Sequence, residues 1–442
     1  MRLIRLYRIE NNFRLILYCI IVALLILFGT YNNFFSYVAA LLMMIYMGSS
    51  SEDDFVTMMM FIMPMANIFK PSAGSASLMT YIELLFVVIC IYKRKWKLNN
   101  NSKLILVFAF YVVFLQLLHG GLDITTTIKI IVYLLILNFA CEAELNRVYK
   151  KLFFAFIFGV IVSSIMRYAD SNVFRISEII KMKEEHVGYG IYETRFSGLY
   201  GDPNYYVINV IISAMLVIVL LRKNDISTLG SGIIMLPLVY FCAITRSKSA
   251  LLMLAIVLMF LVLTYFERRQ YFLTFLAVII GATLVVFVVS GYISIFSGTL
   301  DRFSRTSESS FGVTSNRTEI WTFFIKYIFE RIDVLIFGRS MLFYMLEGRV
   351  THNTYIDILY ELGIIGGLLL IKILYDIFSK NNTSNNEKRT IINYSLLICI
   401  VIMYAFLSEL QYFDPPFHLL LCYYVLNLSF KKEQVSFVNL QL

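Results

Sequence analysis

Charge is what this sequence has least of. Lys, Arg, Asp and Glu make up 15% of its 442 residues, against 59% hydrophobic residues and a mean hydropathy of +0.76. Such a composition, with long apolar runs recurring through the chain, excludes a water-soluble globule built on one core and reads as a polytopic membrane protein. The runs also lack the polar alternation of barrel strands. Lipid offers no water to unpaired backbone groups, so the spans are expected to be α-helices and the fold class all-α.

Several motifs are missing as well. Without a GxxxxGK[ST] loop, no NTP-driven motor is expected. Without HExxH or CxxC spacing, and with four histidines isolated from one another and from the cysteines, no metal set and no cofactor are expected. The six cysteines (Cys19, Cys90, Cys141, Cys242, Cys399 and Cys422) lie in or beside apolar runs and read as packing residues. No internal repeat is apparent, and low complexity is confined to the polar turn Asn381 to Asn386. The net charge of +9 could point to nucleic acid, but in a membrane protein it follows from Lys and Arg retained in cytoplasmic loops, so no nucleic-acid partner is expected.

What is present can be laid out as about fourteen spans, near 13–29, 34–48, 55–69, 76–92, 104–119, 124–141, 152–169, 204–221, 230–245, 249–266, 271–296, 353–378, 390–409 and 416–430. The first follows Arg2, Arg5, Arg8 and Arg14 like a signal peptide, but no small-residue cleavage site comes after it, so a retained anchor is expected. With the N-terminus inside, the inner loops receive Lys93 to Lys103, Arg147 with Lys150 and Lys151, Arg222 with Lys223, Arg268 with Arg269, Lys380 to Arg389, and Lys431 with Lys432. Among the short inner loops only the acidic turn Glu52 to Asp54 runs against this positive-inside pattern.

The chain then divides into N-terminal helices (1–169), a first large outer loop (170–203), central helices (204–296), a second large outer loop (297–352) and C-terminal helices (353–442). Within the second loop, Asn316 to Phe337 has helical apolar spacing but is too polar to span, and reads as an amphipathic surface helix with Trp321 at interfacial depth and Gly338 as its stop. Gly363 and Gly367 form a small-xxx-small pair, which suits close helix packing.

Three outer positions carry chemistry. Arg195 lies in TRFSGLYGDPNYY, where Gly198, Gly201 and Pro203 interrupt the chain and Asp202 or Asn204 can cap the next helix. Arg246 and Lys248 occupy the tight turn ITRSKSALL, two cations without an acid on the outer side; an anionic ligand explains them, as does snorkelling to lipid phosphates. Arg349, His352 and Asn353 precede a helix expected to begin near Tyr355, where an arginine need not enter hydrocarbon and a group can touch a substrate with its tail in lipid and its head in water. A histidine there, with an unperturbed pKa of about 6.5, can take a proton from a hydroxyl.

TRFSGLYGDPNYY, TRSKSALL, SNRTEIWTFF with Gly338 beyond it, and THNTYIDILYELGIIGG, in this order over residues 190–370, resemble the O-antigen ligase and polymerase superfamily. The histidine–asparagine pair followed by glutamate and a glycine-rich helix is the most specific part. The turn Thr245 to Ser249 departs from the serine–arginine–glycine–alanine type more frequent there.

The resemblance implies a fold similar to lipid-donor glycosyltransferases of the GT-C kind, in a bacterial cytoplasmic (inner) membrane with the active site on its outer face. It implies metal-independent, inverting transfer from a polyprenyl-pyrophosphate-linked glycan to an acceptor hydroxyl. In that picture His352, Arg195 and Arg246 are catalytic, while Arg349, Arg317, Lys248 and Asn353 bind pyrophosphate or glycan. Guanidinium forks can hold a pyrophosphate leaving group without a divalent ion. The leading expectation is a polymerase whose donor and acceptor are both lipid-linked glycan, with the bilayer and a chain-length regulator protein as partners. A ligase delivering glycan to lipid A core or a wall acceptor shares the motifs. A flippase or transporter of the same lipid-linked sugar is the alternative of another class, disfavoured by the lack of repeated halves and of an intramembrane charge ladder.

Overall fold

The computed structural model describes residues 2–72, 74–93, 99–141, 145–170, 173–180, 184–186, 192–267, 317–343, 345–379, 391–407 and 415–428. The expected span 271–296, the second loop up to residue 316 and the turn Asn381 to Asn386 lie outside the described residues.

Among the described residues the fold is helical. The N-terminal part contains α1 (Arg2–Gly29), α2 (Asn33–Ser49), α3 (Glu52–Ile62), α4 (Leu78–Lys93), α5 (Asn100–Leu118), α6 (Ile124–Ala140) and α7 (Leu145–Tyr168). The short helix α8 (Ile176–Ile179) and an antiparallel hairpin of β1 (Glu184–His186) and β2 (Tyr192–Thr194) lead to α9 (Pro203–Arg222), α10 (Thr228–Ile244) and α11 (Lys248–Glu267). Then come α12 (Arg317–Glu330), α13 (Ile332–Phe337), α14 (Thr354–Ser379), α15 (Ile391–Tyr404) and α16 (Pro415–Asn427).

Six of these are long and apolar enough to cross a membrane: α1 from Asn12, α5, α7 from Val148, α9, α11 and α14, accompanied by shorter apolar helices including α2, α6, α10 and α15. The chain is an all-α, multi-pass membrane protein. Its centre is α9, apolar on every side and 94% buried, with α7, α10, α11 and α15 packed around it. Lipid tails are as apolar as leucine, so close packing and interhelical hydrogen bonds must hold such a bundle. Gly159 illustrates the closeness: a Cβ there would lie 2.3 Å from the Phe61 carbonyl oxygen, so α7 and α3 meet backbone to backbone. All six cysteines are buried in the same apolar core.

Four ion pairs lie at one end of the bundle. Lys151 reaches Asp54 at 2.9 Å, Lys93 lies 3.9 Å from Glu52, Arg222 lies 3.2 Å from Glu267, and Lys150 and the Tyr149 hydroxyl both meet Asp225. These are the cations that the positive-inside reading assigned to one side; the discordant acidic turn supplies the counter-charges of Lys93 and Lys151, and Asp225 and Glu267 supply those of Lys150 and Arg222. The helix ends that carry Arg195, Arg246 and Asn353 lie at the opposite end.

Four expectations need correction. The span 55–69 is a shorter helix, α3, followed by a 3-10 turn at Met63–Met65, because Pro64 has no N–H for the next helical bond. The amphipathic segment 316–337 is two helices broken at Arg331 (φ −118°, ψ 89°), with the Gly338 stop at φ +81°. The span 353–378 is a broken helix, since Gly363 in α14 has φ +64° and ψ −174°. Buried ionisable groups also occur on the bundle helices: Glu83 on α4, in the electrostatic field of Lys129 on α6, and Asp357 and Glu361 on α14.

Candidate functional site

The loop before α9 and the turn between α10 and α11 form one unit. Gly198 (φ +54°) and Gly201 (φ +75°) fold the loop back, and a Cβ on Gly198 would sit 2.4 Å from the Tyr206 ring. Asp202 is the cap of α9, accepting from the Asn204 N–H at 2.8 Å, with Pro203 in the first helical position. Asn204 is thereby released for another task. Its Oδ1 accepts from the Ser247 hydroxyl at 2.8 Å and the Ser249 hydroxyl at 3.2 Å, pinning the α10–α11 turn to the head of α9.

Arg195 completes the unit by donating from Nε to the Thr245 carbonyl at 3.2 Å, fifty residues away in sequence. Arg246 and Lys248 flank this connection. Arg246 itself has φ +52°, a conformation costing a side chain with a Cβ of order 1–3 kcal/mol and held only where the surroundings fix it. Ser247 is buried at 1% exposure and its hydroxyl also meets that of Ser249 at 2.7 Å, so Asn204→Ala removes the one acceptor that ties both serines to α9. We expect that change to destabilise the protein by about 1–3 kcal/mol, read as a lower melting temperature in detergent, and to loosen Arg246 with it.

The second group surrounds the start of α14. Asn353 caps that helix: its Oδ1 accepts from the Tyr355 N–H at 3.0 Å and the Ile356 N–H at 3.2 Å, so the helix begins one residue earlier than expected. The buried Thr351 accepts from the Asn353 N–H at 3.0 Å and donates to the buried Asp357 carboxylate. Between them His352 is held at φ +51°, half-buried. Arg349 ends a two-residue turn, exchanging backbone hydrogen bonds with Leu346 at 3.0 Å while Glu347 and Gly348 both take positive φ. Its guanidinium lies over the Phe323 ring of α12 at 5.2 Å.

Arg317, the first residue of α12, donates to the Phe406 carbonyl at 3.2 Å. The Thr354 hydroxyl donates to the neighbouring Leu407 carbonyl at 2.5 Å, so Arg317 and the head of α14 share one turn after α15. The Trp321 indole donates to the Thr351 carbonyl at 2.9 Å, which makes Trp321 a tie to the histidine loop, beyond the interfacial role its type suggests.

The two groups lie at the same end of the bundle, connected through a buried chain. Asn209, two turns into α9, meets His418 Nε2 at 3.0 Å, and His418 Nδ1 meets the Tyr404 hydroxyl at the end of α15 at 3.4 Å. Arg195, Arg246 and Lys248 thus belong to one side of this end, and Arg317, Arg349, His352 and Asn353 to the other.

Sequence reading missed residues that support the second group. Arg339 donates from its backbone to the Tyr360 carbonyl at 2.7 Å, and its guanidinium meets the Tyr327 hydroxyl and lies 5.4 Å from the Phe343 ring centre. Gly338 before it was the available signal. The role assigned to Gly363 and Gly367 also changes. Gly363 opposes Gly338, each so close that a Cβ would lie 2.4–2.6 Å from the other's backbone, whereas Gly367 has only Ile358 within reach at 3.4 Å. Comparison of the chain with family models, with curated proteins and with solved structures finds no match.

Proposed function

We propose that this protein is a membrane glycosyltransferase that joins lipid-linked glycan units, using a polyprenyl-pyrophosphate-linked oligosaccharide as donor. The observation that carries the reading is Arg195 hydrogen-bonded to the Arg246 turn at the bundle end that also holds Arg317, Arg349 and His352. Such an end can hold a charged pyrophosphate while the polyprenyl tail remains in lipid.

In the reaction, the acceptor hydroxyl oxygen attacks the anomeric carbon as the bond from that carbon to the pyrophosphate oxygen breaks. His352 takes the hydroxyl proton. The polyprenyl pyrophosphate leaves with the bonding electrons, its charge held by Arg195 and Arg246, with Lys248, Arg317, Arg349 and Asn353 binding phosphate or sugar. Inversion at the anomeric carbon follows from one displacement. The fourteen-span layout, a fold like the lipid-donor glycosyltransferases, both termini in the cytoplasm and this end facing outward belong to the same proposal, as does a chain-length regulator as partner. A ligase would run the same step onto a lipid A core or wall acceptor, so the acceptor consumed separates the two.

The test is discrimination between head groups. Purified protein in detergent is expected to gain thermal stability with polyprenyl pyrophosphate but little with polyprenyl monophosphate. Arg195→Lys and Arg246→Lys should lose most of that gain, because an ammonium is a point charge where a planar fork is needed. Equal stabilisation by both lipids would defeat the reading. Chelator should leave glycosyl transfer unchanged; activity lost in chelator and restored by Mg²⁺ or Mn²⁺ would remove the leaving-group role from the arginines.

A lipid-linked sugar transporter is the second reading, favoured by the buried Glu83 in the field of Lys129, since ionisable groups inside a bundle commonly mark transport paths. Glu83→Gln separates the two: it should abolish movement of donor across a vesicle membrane if the protein transports, and leave glycosyl transfer in place if it does not.

A further inference from the structure

The break in α14 is filled by a side chain from a helix more than two hundred residues earlier. Tyr111, on α5, places its hydroxyl 2.8 Å from the Leu362 carbonyl and 2.7 Å from the Phe337 carbonyl. Gly366 makes room for the ring, since a Cβ there would lie 2.6 Å from Tyr111 Cε1. The adjoining carbonyls at the break are occupied by the turn after α13: Tyr360 accepts from the Arg339 N–H at 2.7 Å and Glu361 from the Ser340 N–H at 2.9 Å. One phenol therefore ties the end of α13 to the last carbonyl of the first half of α14, while its ring lies against Gly366 in the second half.

That first half, Thr354 to Leu362, is a short rod of about 13 Å. Its base is the Tyr111 junction, and its tip carries Asn353 with the His352 loop. Tilting such a rod by about 5° moves the tip by about 1 Å, and a 1 Å misplacement at a reacting centre can cost about 10²-fold in rate. We propose that Tyr111 is a positioning residue for the candidate site, setting through the Gly363 break where His352 and Asn353 stand relative to Arg317 and the arginines beside α9. This rests on reading that loop as the reacting segment.

The experiment pairs two readouts on Tyr111→Phe, which keeps the ring and removes the hydroxyl. The first needs no substrate: a His352→Cys reporter is labelled with a membrane-impermeant maleimide, the six native cysteines being buried. The Tyr111→Phe background should label about 2- to 10-fold faster, the factor corresponding to one lost hydrogen bond. Gly366→Ala, which displaces the ring and keeps the hydroxyl, should do the same. The second readout is turnover on lipid-linked donor with His352 intact, where Tyr111→Phe should lower kcat by a similar factor and leave KM unchanged.

Labelling that is unchanged or slower overturns the assignment. So does faster labelling with wild-type turnover, and so does a Tyr111→Phe protein that fails to accumulate, which would make Tyr111 a folding residue. Faster labelling in a protein whose wild type elongates nothing overturns the glycosyltransferase reading and leaves the Tyr111 junction standing.

Discussion

Gly363→Ala is expected to remove most of the folded protein from the membrane. The residue has φ +64° and ψ −174°, a region open almost only to glycine, which costs another residue about 1–3 kcal/mol. Its Cβ would also lie 2.4 Å from the Gly338 nitrogen and 2.5 Å from the Ile336 carbonyl oxygen, and these backbone atoms cannot swing aside as a side chain would. Overpacking of this kind adds about 1–3 kcal/mol. The sum, roughly 2–6 kcal/mol, is a large share of the 5–15 kcal/mol typical of a folded domain. Gly338→Ala meets the same crossing from the other side and should behave alike. Gly232→Ala is the control, because nothing lies within 4 Å of a Cβ there and alanine favours a helix by about 0.5–1 kcal/mol. Fluorescence size-exclusion of detergent extracts would show aggregation for the first two and a wild-type peak for the third. A well-behaved Gly363→Ala protein would mean that the break in α14 is not fixed by this contact.

His352→Gln is expected to cost the largest share of activity while leaving the fold in place. Glutamine keeps hydrogen bonding but cannot accept a proton at neutral pH, and a general base contributes typically 10²–10⁴-fold. The substitution should spare stability, since His352 is half-buried in a loop whose anchors are its neighbours: Thr351 on Asp357, Asn353 on the helix N–H groups, and Trp321 on the Thr351 carbonyl. A drop of that size with unchanged melting temperature and donor binding marks His352 as the base. Near wild-type rates would restrict it to orienting the acceptor.

Much of this architecture is legible in the chain. Apolar runs mark the helices, Asp202 before Pro203 marks the head of α9, Gly338 marks a stop, and Asn353 stands where a cap belongs. The distribution of Lys93, Lys150, Lys151 and Arg222 anticipates which helix ends meet. What escapes notice depends on long-range partners. A GIIGG run looks like a packing face, and only Gly338 and Tyr111, lying 25 and 252 positions from Gly363, turn its first glycine into a break. Asp202 and Asn204 are both plausible caps by type; the choice is made by Ser247 and Ser249, which claim the Asn204 carbonyl. Glu83 is a single acid in an apolar run, and its counter-charge Lys129 lies on another helix.

The central claim is tested most directly by reconstituting the purified protein in liposomes with polyprenyl-pyrophosphate-linked oligosaccharide as the only glycan, and resolving the products by size. The expected result is a ladder of glycans spaced by one donor unit, growing as polyprenyl pyrophosphate is released in equal amount and absent with His352→Gln or Arg246→Lys. Donor that stays at unit length, or that crosses the membrane without a change in length, would contradict it.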